Sequence, residues 1–197
     1  MNLRMVIPVE IAVIAVLGAI YYGYHAVQDP QEPAKATSSQ TPSAEPSALP
    51  TVDTTRLVSK QGRFAVGVPD NIKSKKVGPA VTMTSGDKVL TVVISPIESG
   101  TIAASKAAFM RGMRQTYTDV RKTGTETPTV DGRKAEATYG LAVNPKEKKK
   151  TQIRFVNVVV KDTPRNFAIT VFTAADADPL FVLPRVNAVV ETFEVLE

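Results

Sequence analysis

An uncharged apolar stretch near the N-terminus constrains this chain more than any other sequence feature. The range Ile11–Tyr24 contains no Asp, Glu, Lys or Arg, and the longer run Met5–Val27 is dominated by apolar residues. A helix that crosses a bilayer needs roughly 20 such residues. The run reaches that length when Glu10 lies at one interface and the tyrosines near its end lie at the other, where their rings favour the headgroup layer. We therefore expect residues 1–27 to form a short stub and a transmembrane anchor.

Charges on either side of this run predict its orientation. Arg4 precedes it, whereas Asp29 and Glu32 follow it. Because cytoplasmic flanks carry an excess of Lys and Arg, we expect a single-pass protein of the cell membrane, with a cytoplasmic N-terminus and an extracytoplasmic domain. A cleaved signal peptide is the alternative, although Tyr24 is bulky for the first position of a small-x-small cleavage motif. The chain has no Cys, which excludes a lipid-modified N-terminal cysteine.

Residues 28–53 are typical of a disordered linker. They combine Ser, Thr, Ala and Gln with five prolines and almost no large apolar side chain. Such a composition cannot offset the entropy of ordering by burial. We expect a mobile tether, spanning roughly 30 Å as a coil, between the membrane and a folded domain at residues 54–197.

Alternating apolar residues and turn signals predict the strands of that domain. The predicted elements are a strand at Phe64–Pro69, a hairpin of Val81–Met83 with Val89–Ile94, an Asp131-Gly132 turn before a strand at Ala135–Val143, and strands at Gln152–Lys161 and Phe167–Phe172. These patterns indicate a mostly antiparallel sheet.

Two segments have helical spacing. Phe109, Met113 and Tyr117 recur every four residues and predict a helix within Ile102–Val120 that packs through this stripe. A second helix is indicated near the C-terminus by the spacing of Val186, Val189, Val190 and Phe193. Asp176 or Asp178 would cap the second helix, Pro179 would fit its first turn, and Pro184 would separate that turn as a bend. Helices packed on an antiparallel sheet make the domain α+β.

This order of elements resembles the PsbP-like superfamily, which includes a photosystem extrinsic protein, Ran-binding Mog-type proteins and anchored exported proteins of actinobacteria. The resemblance rests on the strand Phe64–Pro69 that ends in Pro, the turn Val130–Gly132 before a long strand, and the closing segment Val189–Phe193. Where the family usually has an aromatic residue after that proline, this chain has the range Asp70–Lys73. The resemblance implies a non-enzymatic accessory or binding domain and transfers no functional residue.

The sequence offers little catalytic chemistry. Its only histidine, His25, lies in the predicted anchor, and the GxSxG, GxxxxGK[ST] and GxGxxG motifs are absent. Carboxylate pairs that could cleave glycosides are Asp176 with Asp178 and Asp131 with Glu136. We interpret them instead as a helix cap, a turn and a solvated strand face. We expect no enzyme, cofactor or metal, and the alternative is a small-ligand or hydrolytic domain with its cleft between sheet and helix.

Basic residues are the stronger functional signal. From Asp53 to the C-terminus there are 22 Lys and Arg against 15 Asp and Glu, a net charge of +7. We assign two lysine clusters to loops: Lys146, Lys148, Lys149 and Lys150 in one, and Lys73, Lys75 and Lys76 in another. They are either ordinary solvated loops or contacts to an anionic surface. We favour a binding module that engages an envelope protein, anionic lipid or anionic polymer. Nucleic acid is not expected, because the lysines lack interleaved aromatic residues.

Overall fold

The computed structural model describes residues 51–97, 100–145 and 151–197. The predicted anchor, the linker up to Pro50 and the lysines at positions 146–150 lie outside the described residues. Within them the order is β1 (Thr54–Ser59), β2 (Phe64–Pro69), β3 (Ile72–Val77), β4 (Ala80–Ser85), β5 (Leu90–Ile97), α1 (Ile102–Thr116), β6 (Thr118–Glu126), β7 (Thr129–Val130), β8 (Arg133–Val143), β9 (Gln152–Val160), β10 (Asn166–Ala174), α2 (Pro179–Glu191) and β11 (Glu194–Val195).

A large antiparallel sheet organises the domain. Its strand order is β3-β4-β5-β10-β9-β8-β6, and β7 pairs with the start of β8. A second sheet of three strands has the order β1-β2-β11. All pairs in both sheets are antiparallel, so the predicted α+β class with a mostly antiparallel sheet is confirmed. None of the helices in the described part is long and apolar enough to cross a membrane.

One face of the large sheet carries the main core. Alternate residues of its strands point to this face, where β2 and α2 cover them. Phe64 of β2 lies against Phe167 of β10 and against Phe193, with ring centroids 6.1 and 5.8 Å apart. Phe64 and Phe167 are almost fully buried. We call this the core face.

The opposite face is covered by α1 over only part of its width. Met113 of α1 packs with Ala142 and Phe155, and Phe109 places its ring 5.6 Å from that of Phe155. Tyr117 stacks on Phe172 at 6.2 Å. The predicted stripe of Phe109, Met113 and Tyr117 therefore does pack against the sheet. We call this the helix face.

The first helix lies within the predicted range and ends four residues before its limit at Val120. The helix ends at Thr116, and Thr118 to Glu126 form the edge strand β6. The last helical bond is donated by the Tyr117 N–H to the Met113 carbonyl at 2.8 Å, and the backbone of Tyr117 itself is extended. β-branched residues at positions 116, 118, 120, 123 and 125 favour a strand here over a continued helix.

The C-terminal helix begins as predicted. Asp178 caps α2 by accepting a hydrogen bond from the Leu180 N–H at 2.9 Å, and Pro179 occupies the first turn. The predicted break at Pro184 was wrong, because α2 continues through it. Because proline has no N–H, Pro184 removes one helical hydrogen bond to the Leu180 carbonyl. Leu180 is 67% exposed, so water can donate to its carbonyl instead.

Candidate functional site

The lysine cluster at positions 73–76 lies on a strand, so the prediction that it occupies a loop was wrong. Lys73, Lys75 and Lys76 belong to β3, the edge strand of the large sheet, and all three side chains are exposed. A strand that exposes nearly every side chain shows no apolar alternation, which explains why the sequence did not reveal it. Lysines also protect an edge strand from pairing with other chains.

The register of β3 divides these lysines between the two faces. Lys73 pairs with Thr84 and Lys75 with Thr82, whereas Lys76 pairs with the core residue Val81. Since alternate residues share a face, Lys73 and Lys75 lie on the helix face and Lys76 lies on the core face. Only two of the three lysines can therefore contact one flat surface together.

Lys146, Lys148, Lys149 and Lys150 lie outside the described residues, but the base of their segment is described. The Asn144 N–H donates to the Thr151 carbonyl at 3.0 Å, which closes the hairpin between β8 and β9. Four strands lie between β3 and β8 in the large sheet. Because neighbouring strands are about 4.8 Å apart, the distance between β3 and β8 is roughly 24 Å. The structure does not bring the bases of the two clusters together.

Between β3 and α1 the helix face is partly open. Its half-buried residues are Thr82 and Thr84 of β4 and Thr91, Val93 and Ser95 of β5. Together with the exposed Lys73 and Lys75 they form what we call the threonine face. Hydroxyl and ammonium groups can donate hydrogen bonds to an anionic or polyhydroxylated ligand.

The threonine face continues as a polar row beneath α1. The cross-strand register places Val93, Thr170, Asn157 and Thr138 side by side. The Asn157 amide donates to the Thr170 hydroxyl at 2.8 Å, whereas Asn157 Oδ1 and Thr138 Oγ1 are buried without a hydrogen-bond partner among the described residues. Buried unsatisfied polar atoms cost free energy, so this row is costly for stability.

The carboxylates considered for catalysis have structural contacts. Asp131 pairs with Arg133 and accepts from the Val195 N–H at 3.0 Å. Glu136 forms a 2.6 Å ion pair with Lys106 of α1. The contacts of Asp131 and the Asp178 cap match the interpretation as turn and helix cap, whereas Glu136 is half-buried against α1 and does not lie on a solvated strand face.

A small apolar pocket lies between α2 and the core face, where the alternative prediction placed a cleft. Its volume is about 80 Å³ and its walls include Val182, Leu183 and Val186. This is about half the volume of a dry engineered cavity of roughly 150 Å³ that binds benzene. Tyr139 lies at its wall and donates its hydroxyl to Glu126 at 2.9 Å. Burial of the Tyr139 hydroxyl raises its pKa above the ordinary value, and the hydrogen bond to the Glu126 carboxylate raises it further.

A larger groove lies between β1 and β3 and has a volume of about 800 Å³. Both strands that form it were missed in the sequence, since neither buries a regular face. The turn that joins β2 to β3 also lines the groove, and its Asn71 adopts a positive φ of 65°. Asn is among the few residues that tolerate this conformation.

This architecture is similar to that of several solved structures. No family model matches the sequence, and no curated protein matches it. In structure the chain is similar to cyanobacterial PsbP (CyanoP) from Synechocystis sp. PCC 6803, with a TM-score of 0.54 at 13% identity over 79% of this chain and 99% of that one. The chain therefore has the fold of PsbP, as the resemblance in sequence predicted.

Two further solved structures show a similar likeness. The Ran-binding protein Mog1p of Saccharomyces cerevisiae has a TM-score of 0.52 at 10% identity, covering 75% of this chain and 97% of that one. LpqN of Mycobacterium tuberculosis, described as involved in cell envelope biogenesis, has a TM-score of 0.51 at 13% identity, covering 74% and 92%. At these identities the likeness establishes the PsbP-like fold and transfers no site.

Proposed function

We propose that this PsbP-like chain is a membrane-anchored extracytoplasmic binding module without catalytic activity, and that it contacts an anionic component of the cell envelope. The observation that carries this proposal is the threonine face, which presents Lys73 and Lys75 beside open hydroxyl groups. The domain's net charge of +7 would draw it towards anionic lipid or polymer. The envelope role described for LpqN is consistent with this setting.

The proposal is tested with the full chain in neutral nanodiscs, mixed with vesicles of phosphatidylglycerol or of phosphatidylcholine. We expect retention only by phosphatidylglycerol, and its loss when ionic strength rises from about 0.02 to about 0.5 M, because salt screens exposed charges. The double variant K73Q/K75Q should weaken retention. The matched control K134Q/K161Q removes two exposed lysines near the other end of the sheet and should retain more binding.

The lysine segment at positions 146–150 requires its own variant. Changing Lys146, Lys148, Lys149 and Lys150 to Gln removes four further positive charges. If neither this variant nor K73Q/K75Q changes retention, or if both vesicle types bind equally, contact with an anionic surface is refuted.

A second candidate function rests on the apolar pocket beneath α2. Its volume of about 80 Å³ suits a small apolar group, and Tyr139 is among the residues of its wall. Thermal unfolding with and without benzene tests it. A shift in the wild type that is absent in Leu183→Phe, which fills the pocket, would favour this function.

A further inference from the structure

The groove between β1 and β3 is built from one strand edge and one sheet face. Every residue from Thr55 to Ser59 lines it, whereas β3 contributes every second residue, Ile72, Ser74 and Lys76. Because side chains alternate along a strand, a consecutive run indicates that β1 presents its backbone edge. The alternate residues show that β3 presents its core face. The groove therefore has a strand edge as its wall and the margin of a sheet as its floor.

The hydrogen bonding of β1 identifies the backbone groups at this edge. The Asp70 N–H donates to the Asp53 carbonyl at 3.1 Å, which makes these two residues a hydrogen-bonded pair. Bonded and non-bonded pairs alternate in antiparallel sheets. In the register of β1 with β2, the bonded pairs then fall at residues 55, 57 and 59. The N–H and C=O groups of Thr54, Arg56 and Val58 point away from β2.

Gly67 supports this assignment independently. It lies opposite Arg56 in the register, and its N–H donates to the Thr192 hydroxyl at 2.8 Å instead of to β1. Within the described residues β1 pairs only with β2. An unpaired edge of this kind is a template for another strand.

The charges along the groove indicate which strand it accepts. Among the residues that the structure describes, Lys60 and Lys76 line the groove against a single carboxylate, Asp70, and Arg56 is in a 2.7 Å ion pair with Glu194. A second copy of β1 would bring Arg56 and Lys60 towards their own equivalents, which is unfavourable. The upstream residues 28–50 contain five prolines, which lack the N–H that pairing requires.

We infer that the edge of β1 binds an extended, acidic, proline-poor segment of a partner polypeptide as a fourth strand of the small sheet. Main-chain bonds to Arg56 and Val58 supply affinity, and alternate acidic side chains reach Lys60 and Lys76. The groove volume of about 800 Å³ lies within the range of about 300 to 1,000 Å³ usual for ligand clefts. The groove is on the opposite side of β3 from Lys73 and Lys75, so this inference is independent of the proposed function.

The probe is a labelled synthetic peptide, TEVEVEVT, added to the full chain in neutral nanodiscs and followed by fluorescence anisotropy. Val58→Pro removes an outward N–H without touching a bond to β2, whereas Val58→Ala keeps that N–H. We expect V58P to bind about tenfold more weakly than V58A, the equivalent of about 1.4 kcal/mol. Lys76→Glu should weaken this peptide and strengthen its basic counterpart TKVKVKVT.

Amide exchange of the wild type provides a readout that does not depend on how V58P folds. On adding TEVEVEVT, the amides of Arg56 and Val58 should gain protection, whereas Leu57, already bonded to β2, should change little. Equal binding by V58P and V58A, or no protection at these amides, would overturn the inference. Protection of these amides without peptide would also overturn it, because the chain's own upstream residues would then occupy the edge. Protection that rises with protein concentration would overturn it as well, because a second copy would then occupy the edge.

Discussion

Two glycines in regular elements have opposite surroundings. A Cβ on Gly140 of β8 would lie 2.5 Å from the Arg121 carbonyl and still closer to the Phe155 ring. A Cβ on Gly112 of α1 would meet no atom within 4 Å. We expect Gly140→Ala to lower the free energy of unfolding by about 1 to 3 kcal/mol through overpacking. Gly112→Ala, the matched control, should raise it by about 0.5 to 1 kcal/mol, because glycine is a poor helix former. Urea denaturation measures both changes, and equal effects would contradict the close packing of Gly140 against Phe155 and the Arg121 carbonyl.

Tyr139 makes stability depend on alkaline pH. Burial and the hydrogen bond to Glu126 raise the pKa of Tyr139 in the folded protein above its unfolded value of about 10. Above that pH the unfolded chain loses a proton that the folded chain keeps, so stability is present below pH 10 and falls as pH rises further. We expect this decline to be shallower in Tyr139→Phe than in the wild type. Urea denaturation at several pH values from about 8 to 11 tests it, and parallel curves would contradict it.

The start of α2 depends on a single side chain. Asp178 accepts the Leu180 N–H at 2.9 Å, and the described part of this helix has no acidic residue in its first turn. Asp178→Ala should lower the free energy of unfolding by about 1 kcal/mol, whereas Asp178→Asn, which can still cap, should change it little. Thermal and urea unfolding compare the two variants. A comparable loss in both would show that the charge of Asp178, and not its hydrogen bond, stabilises the helix.

Elements that bury an apolar face were predictable from the sequence, and those at the margins of the sheets were not. Apolar residues alternate or follow one another in β4, β5, β8, β9 and β10, because the core face buries their side chains. In contrast, β1, β3 and β6 expose half or more of their residues, so their pairing is decided by neighbouring strands. Asp178, Pro179 and the Asp131-Gly132 turn were recognisable because local backbone geometry requires such residues.

The candidate surfaces lie at the margins that the sequence did not predict. The lysines of β3 were noticed as a cluster, but dividing them between two faces required the register of β3 with β4. The groove beside β1 depends on two strands that approach each other only in the folded domain. The pair of Tyr139 with Glu126 joins residues 13 positions apart on adjacent strands, and no local pattern marks such a contact.

At the scale of the whole molecule, the charged surfaces face different directions. Lys73 and Lys75 lie on the helix face, whereas the groove beside β1 opens on the core face. A domain that contacts an anionic surface through the threonine face would therefore leave the edge of β1 accessible. The proposed anionic contact and the inferred strand partner can then be bound at the same time.

The proposed topology is tested by cysteine labelling, for which this chain is well suited because it contains no Cys. Single variants Asn2→Cys and Ser47→Cys place one thiol on each side of the predicted anchor. With a membrane-impermeant maleimide, intact cells should label S47C, while N2C should react only after permeabilisation, since Arg4 before the apolar run favours a cytoplasmic N-terminus. Mass spectrometry of the same protein should find the residues before Val27 retained. Labelling of N2C in intact cells would reverse the orientation, and a mature chain that begins near Val27 would replace the anchor with a cleaved signal peptide.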